Sequence, residues 1–256
     1  MLTRTTTRNE SRRLGYGGAV TLVGAPSGSI TIEGWQRSEV EVRAELELHA
    51  PSVSELDLLA AVDTFVVDED ANHIRIITTG THDKKFLKRV ARNFPKTLIA
   101  APWKIDYRIK VPAMCDVAID AGNGPIKLSG VEGSIRINAL ESVVDLSLTG
   151  SDLSLLIQKG TVNFTIPARA WHGLRAEIKV AAGNLIVDLM PGFSGEINAD
   201  VLRTGEVKAL FPNLEPRERN SIGPRSVRAR AGSGGAMLMF TVGDGTIQIG
   251  TASSRQ

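Results

Sequence analysis

The chain holds one cysteine, Cys115, in 256 residues. No internal disulfide can form, so stability must come from a packed core, which suits a reducing compartment. Aromatic residues make up only 5%. Trp35, Trp103 and Trp171 are therefore expected in core or end-cap packing rather than as a platform for sugars. The four histidines, His49, His73, His82 and His172, stand apart with no metal-ligand spacing, and neither a metal nor a cofactor is expected. No stretch approaches the roughly 18 apolar residues of a membrane span. Met1 to Leu14 is polar and basic with no apolar run, so no secretory signal is expected and the location as written is cytoplasmic. The formal net charge is only +2, which gives no reason to expect nucleic acid as a partner.

What the chain does have is a repeat. Cut into nines from Cys115, it reads CDVAIDAGN, GPIKLSGVE, GSIRINALE, SVVDLSLTG, SDLSLLIQK, GTVNFTIPA. The third column is Val117, Ile126, Ile135, Val144, Leu153 and Val162; the fifth is Ile119, Leu128, Ile137, Leu146, Leu155 and Phe164. At a hydrophobic fraction of 42%, twelve apolar hits in twelve have a chance of about 3 in 100,000 for a fixed frame. The seventh column is small or apolar, while the fourth and sixth are mostly polar. Such period-two alternation places one side in a core and the other in water. Column one holds Gly124, Gly133, Ser142, Ser151 and Gly160 after Cys115, residues suited to turns. Each unit is then a short strand and a turn. Six units without a slip favour stacked coils over an antiparallel meander, with two or three units per coil. The expected fold is all-β: a single β-solenoid domain over 1–256, with its core at about 20–250 and its regular repeat at 115–168.

Strand-like phrases continue on both sides. Gly28-Ser-Ile-Thr-Ile and Gly245-Thr-Ile-Gln-Ile repeat one phrase near the two ends, which argues for one continuous architecture. Two short helices interrupt it. Ser52-Val-Ser-Glu55 is a capping-box pattern that predicts a helix at 52–62. Asp83 can cap a second, at 83–93, with Phe86, Leu87 and Val90 as its apolar stripe. Capping the open ends of the solenoid is the plain role for both. The second carries Lys84, Lys85, Lys88, Arg89 and Arg92, a basic contact surface for an anionic membrane or an acidic partner. The segment 212–235, with Pro212, Pro216, Pro224, five arginines and a Gly-Ser-Gly-Gly run, reads as an exposed flexible loop. Glu215 and Glu218 can neutralise part of its charge locally.

Catalytic motifs are lacking. Cys115 falls at a turn column without a Cys-x-x-Cys partner and reads as a structural thiol. Asp116, Asp120, Asp145 and Asp152 lie along the repeat, where pairs of carboxylates can cleave glycans. The plainer account is solvated columns and turn capping.

The run Ile105-Asp-Tyr-Arg-Ile-Lys-Val-Pro112, then Val117-Ala-Ile-Asp-Ala-Gly-Asn-Gly124, Ile126-Lys-Leu-Ser-Gly-Val-Glu-Gly133 and the closing Gly245-Thr-Ile-Gln-Ile-Gly250 resembles the bacterial putative adhesin family. That resemblance implies a toastrack-like β-solenoid and a surface-binding role, with no catalytic residues to carry over. The function expected is a non-catalytic binding or scaffold domain for a protein or glycan, linked to the cell envelope or its signalling. A carbohydrate-active enzyme using the aspartates, and a peripheral membrane partner using 84–92, are the alternatives.

Overall fold

The computed structural model describes residues 1–91, 93–218 and 222–251. The N-terminal half contains β1 (Leu2–Arg13), β2 (Ala19–Ser27), β3 (Ile30–Trp35), β4 (Glu39–Ala50), α1 (Val53–Ala60), β5 (Thr64–Asp70), β6 (His73–Thr79), α2 (Lys84–Val90) and β7 (Trp103–Pro112). The repeat follows as β8 (Asp116–Asn123), β9 (Ile126–Ser129), β10 (Ser134–Ser147) and β11 (Asp152–Ile166). The chain finishes with β12 (Arg175–Leu189), β13 (Gly195–Ala209), β14 (Leu214–Pro216), β15 (Ser226–Ala231) and β16 (Met237–Thr251).

Two nonamers make one coil. Ile135 pairs in parallel with Val117 on one side and Leu153 on the other, an offset of two nonamers each time. Val144 pairs likewise with Ile126 and Val162. Alternate nonamers therefore stack on one another and build two walls. Wall one runs β5, β6, β2, β8, then the first halves of β10, β11, β12, β16 and β13, and ends on β15 and β14. Wall two runs β1, β4, β7, β3, β9, then the second halves of the same five long strands. The walls face each other across one core. Phe164 of wall two meets Phe240 of wall one with ring centroids 6.3 Å apart. The hydroxyls of Tyr107 on wall two and Thr78 on wall one share a hydrogen bond of 2.8 Å. Every third- and fifth-column residue is buried in this core.

Column one splits between the two corners where the walls join. One corner stacks Gly28, Gly124, Ser142, Gly160, Gly183, Gly245 and Gly205; a Cβ on any of its glycines would overlap backbone of a neighbouring coil. Gly160 and Gly183 also have φ of 142° and 138°, a backbone that only glycine adopts freely. Ser142 fits because its φ is not among the positive ones. The opposite corner stacks Cys115, Gly133, Ser151 and Gly173.

Both terminal coils are tucked one place inward. β2 and β3 lie between β6–β7 and β8–β9. β16 lies between β12 and β13. The matching Gly-x-Ile-x-Ile phrases occupy these two inserted coils.

Three of the four wall edges are closed by antiparallel strands, β1, β5 and β15; on wall two the second half of β13 forms the other edge, paired in parallel with β16. β1 pairs with β4 alone and turns Arg4, Arg8, Glu10 and Arg12 toward the side on which β4 places its core residues. Charges pointing inward on an edge strand discourage pairing with another chain. Arg8 closes the end of the core: its guanidinium lies 4.7 Å from the Phe65 ring centroid and donates to the Phe65 carbonyl at 2.8 Å. β5 and β6 form a hairpin through Ala71 and Asn72, both at positive φ (35° and 69°), as a two-residue turn of matched twist requires. The predicted helices both form. Ser52 Oγ accepts from the Glu55 N–H at 3.3 Å and donates to the Glu55 carboxylate at 2.8 Å, and α1 covers a small cluster of Leu48, Leu56, Leu59 and Leu98.

One expectation needs correction. The segment 212–235 is not simply a loop: β14 and β15 form in it, antiparallel to each other, with β15 antiparallel to β13. Val227, Ala229 and Ala231 face the core and are fully buried. Arg228 pairs with Asp200 at 2.7 Å, Arg230 with Glu215 at 2.6 Å and Arg217 with Glu196 at 3.4 Å. The buried Val227, Ala229 and Ala231 anchor these last strands, and the exposed arginine pairs add little to that. Arg219 lies outside the described residues.

Candidate functional site

Regular coils put polar residues in rows across the outside of each wall. On wall two one row runs Asn9, Arg43, Arg108, Thr31, Lys127, Asp145, Asn163. The next row runs Ser11, Glu41, Lys110, Glu33, Ser129, Ser147, Thr165. Over β1, β4, β7 and β3 these rows border a groove of about 560 Å³ floored by Val42 and Ile109. A second hollow of about 420 Å³ shares Thr31 and continues across Lys127, Asp145 and Asn163 to Asp188. The two span eight strands, or about 34 Å at the usual strand spacing.

The charges along this face are unevenly satisfied. Asp145 accepts from Asn163 Nδ2 at 2.7 Å and lies 4.0 Å from Lys127 Nζ. Glu10, on the inward side of edge strand β1, is held by Arg8 and Arg12 at 2.7 and 3.0 Å; the hydrogen bond from Arg8 leads in keeping its carboxyl below the usual range. Burial pushes the Asp106 carboxyl up, but the hydroxyl and N–H of Ser29, both at 2.6 Å, and Lys104 bring it below the ordinary value. Arg43 and Arg108 are different. They stand directly opposite each other on β4 and β7, and among the described residues neither has an ion-pair or hydrogen-bond partner. Like charges directly opposite on a sheet are unfavourable. At the end of the groove, Trp35 donates to the Glu39 carbonyl at 2.9 Å, and Arg37 and Lys110 lie 4.8 and 5.3 Å from the indole centroid.

The structure disperses the aspartates. Asp116 and Asp120 are on wall one, where they accept from Ser134 N and Asn138 Nδ2, both at 2.7 Å. Asp152, also on wall one, pairs with Arg175 at 3.3 Å. Asp145 is on wall two. The Asp120–Asn138 and Asp145–Asn163 bonds both link one coil to the next, so these carboxylates serve the stack. Cys115 is buried at a corner, and burial pushes its thiol up to about 12. Trp171 is in the core, donating to the Ser151 carbonyl at 3.1 Å and meeting Phe164 edge-on at 5.6 Å. His49 contacts Thr3 and Glu47, and His73 contacts Thr21.

The basic helix stands clear of the groove and follows β6 of wall one. Lys84, Lys85, Lys88 and Arg89 are exposed; Arg92 lies outside the described residues. Asp83 Oδ1 caps the helix by accepting from Lys85 N and Phe86 N at 2.9 and 3.1 Å. Leu87 is buried and Phe86 half-buried. The apolar stripe is thus largely spent on the protein's own surface, which weakens a membrane role. Among the described residues no helix is long and apolar enough to cross a membrane, and no three His, Cys, Asp or Glu side chains gather into a metal site.

No family model and no curated protein matches this sequence. Solved structures do. A putative cell adhesion protein from Clostridium sporogenes aligns with a TM-score of 0.50 at 12% identity, covering 96% of this chain and 100% of that one. This chain shares its fold. Putative adhesins from Bacteroides fragilis (TM-score 0.35, 13% identity, 95% and 96% covered) and Parabacteroides merdae (0.29, 10%, 94% and 95%) overlay too loosely to carry weight.

Sequence reasoning missed the groove. Arg43 and Arg108 are far apart in the chain and meet only through the β4–β7 register. The alternating runs Glu39-Val-Glu-Val-Arg43 and Ile105-Asp-Tyr-Arg-Ile-Lys110 show that the charged residues face outward, and that was the only signal.

Proposed function

We propose that this chain is a non-catalytic binding domain that holds an extended polymer across the outside of wall two. The observation that carries this reading is the pair of contiguous hollows over eight strands, lined by rows of hydrogen-bonding side chains. Protein-binding patches centre on apolar and aromatic anchors in pockets, whereas the outward residues here are Asn, Ser, Thr, Arg, Lys, Asp and Glu. A chain of hydroxyl groups finds both donors and acceptors at each step, so a glycan fits better than a polypeptide. The glycosidase alternative needs two carboxylates flanking one bond, and the four aspartates are instead split between walls and bonded to neighbouring coils. A protein of the same fold is described as a putative cell adhesion protein, and attachment at the cell envelope is the setting this proposal extends to the chain.

The test is a glycan array with the intact chain, alongside Thr31→Trp, which plugs the junction of the two hollows from an exposed strand position. Capture by the parent chain and loss in Thr31→Trp supports the proposal. Equal capture by both, or polysaccharide turnover that disappears in Asp145→Asn, overturns it.

A further inference from the structure

We infer that the groove over β4 and β7 is an oxyanion subsite for an acidic glycan, with Arg43 and Arg108 gripping a carboxylate or sulfate group of the sugar chain. This rests on the polymer-binding reading above and names the chemistry of its ligand. Three observations converge on it. The two guanidinium groups occupy facing positions on adjacent antiparallel strands, where their mutual repulsion is relieved by a shared anion. The carboxylates nearest in sequence and register are engaged elsewhere or set in other rows. Asp106 is held by Ser29 and Lys104 and Glu10 by Arg8 and Arg12; Glu33 and Glu41 lie opposite Lys110 in the row on one side, and Glu45 lies opposite Asp106 in the row on the other. Finally, the row continues through Thr31 to Lys127, so a positive charge, shared with Asp145 at 4.0 Å, recurs two strands further on, about 10 Å away.

The chemistry selects among ligands. A guanidinium offers a planar fork of N–H donors that matches two oxygens of a carboxylate or sulfate. Two forks side by side enclose such a group from both sides. Glu33 and Glu41 accept hydrogen bonds from sugar hydroxyls and repel a second anion from the neighbouring row. Binding therefore depends on the spacing of charge along the polymer, not on charge alone.

Titration calorimetry of the intact chain against polygalacturonate, dextran sulfate and uncharged dextran tests this, with R43Q/R108Q, R108K and K127Q as variants. Circular dichroism checks that each variant keeps its fold, as exposed outward positions should. The expected result is binding to one or both acidic chains that weakens about ten-fold or more in R43Q/R108Q and less in K127Q, with R108K intermediate because the charge remains and the fork is lost. Binding of uncharged dextran equal to the acidic chains, abolished by Thr31→Trp, would overturn the oxyanion subsite and leave the polymer reading standing. Acidic-chain binding unchanged in R43Q/R108Q would overturn the subsite. No binding to any of the three would overturn this inference, and the polymer reading falls separately only if the glycan array is also empty.

Discussion

Replacing Gly183 by alanine probes the corner that makes the coil. Gly183 has φ of 138°, and its Cβ would point into the carbonyl oxygen of Gly160 in the coil beneath. The backbone conformation alone costs about 1–3 kcal/mol for a residue with a Cβ. Forcing a methyl group against a backbone atom costs about another 1–3 kcal/mol, since a carbonyl inside a parallel ladder cannot swing away without breaking it. The predicted loss is about 3–5 kcal/mol, the middle of that combined range. Gly192 is the internal control: it has φ of 79° with nothing within 4 Å of its would-be Cβ, so its alanine variant should lose only about 1–2 kcal/mol. Urea denaturation followed by the fluorescence of the three tryptophans, of which Trp171 is buried, measures both, with unchanged m-values as the check on two-state behaviour. If Gly183→Ala is no less stable than Gly192→Ala, the close stacking at this corner is wrong.

Other consequences are as definite. Burial raises the Asp63 carboxyl to about 6, although Oδ1 accepts from Thr81 N at 2.6 Å. The folded chain keeps this proton up to about pH 6 while the unfolded chain releases it near 3.8, so stability should fall as pH rises from about 4 to about 6. The loss reaches up to about 3 kcal/mol and then levels off. Asp63→Asn retains the acceptor for Thr81 and should flatten that slope in pH-dependent denaturation; a wild-type slope in the variant would refute the assignment. The Cys115 thiol, buried with its pKa pushed up to about 12, should resist alkylation at neutral pH in the native chain and react fully in denaturant, as mass spectrometry would show. Because Leu87 is turned into the protein, changing Lys84, Lys85, Lys88 and Arg89 together to glutamine should leave co-sedimentation with anionic vesicles unchanged. A salt-sensitive loss on that change would restore the membrane role for this helix.

The nonamer columns were legible because each repeats a local demand: apolar residues where the strand faces the core, and a small residue at each corner. The downstream phrases obey the same rule, with 174–180 and 184–189 forming the two halves of β12. Three things were not legible. β1 has no apolar alternation, because it is an edge strand whose inward positions are charged. The insertion of β16 between β12 and β13 depends on partners separated by all of β13 to β15, which no local pattern encodes. Residues 212–235 were obscured by prolines and glycines, although Val227-Arg-Ala-Arg-Ala231 does alternate and marks β15. The groove fell into the second class: its residues come from β1, β3, β4 and β7, and only the register of those four strands assembles it.

The second hollow, and with it a binding face continuous across wall two, exists only if alternate nonamers lie on one wall. Disulfide trapping tests this directly. Arg136 and Ser154 face each other on adjacent parallel strands of wall one, within reach of a disulfide, whereas Arg136 and Asp145, one nonamer apart, are on different walls. In the double-cysteine variants, mild oxidation should close the 136–154 bridge in nearly every molecule and leave 136–145 open, as read by peptide mass mapping. A closed 136–145 bridge with 136–154 open would contradict the two-nonamer coil and the binding face built on it.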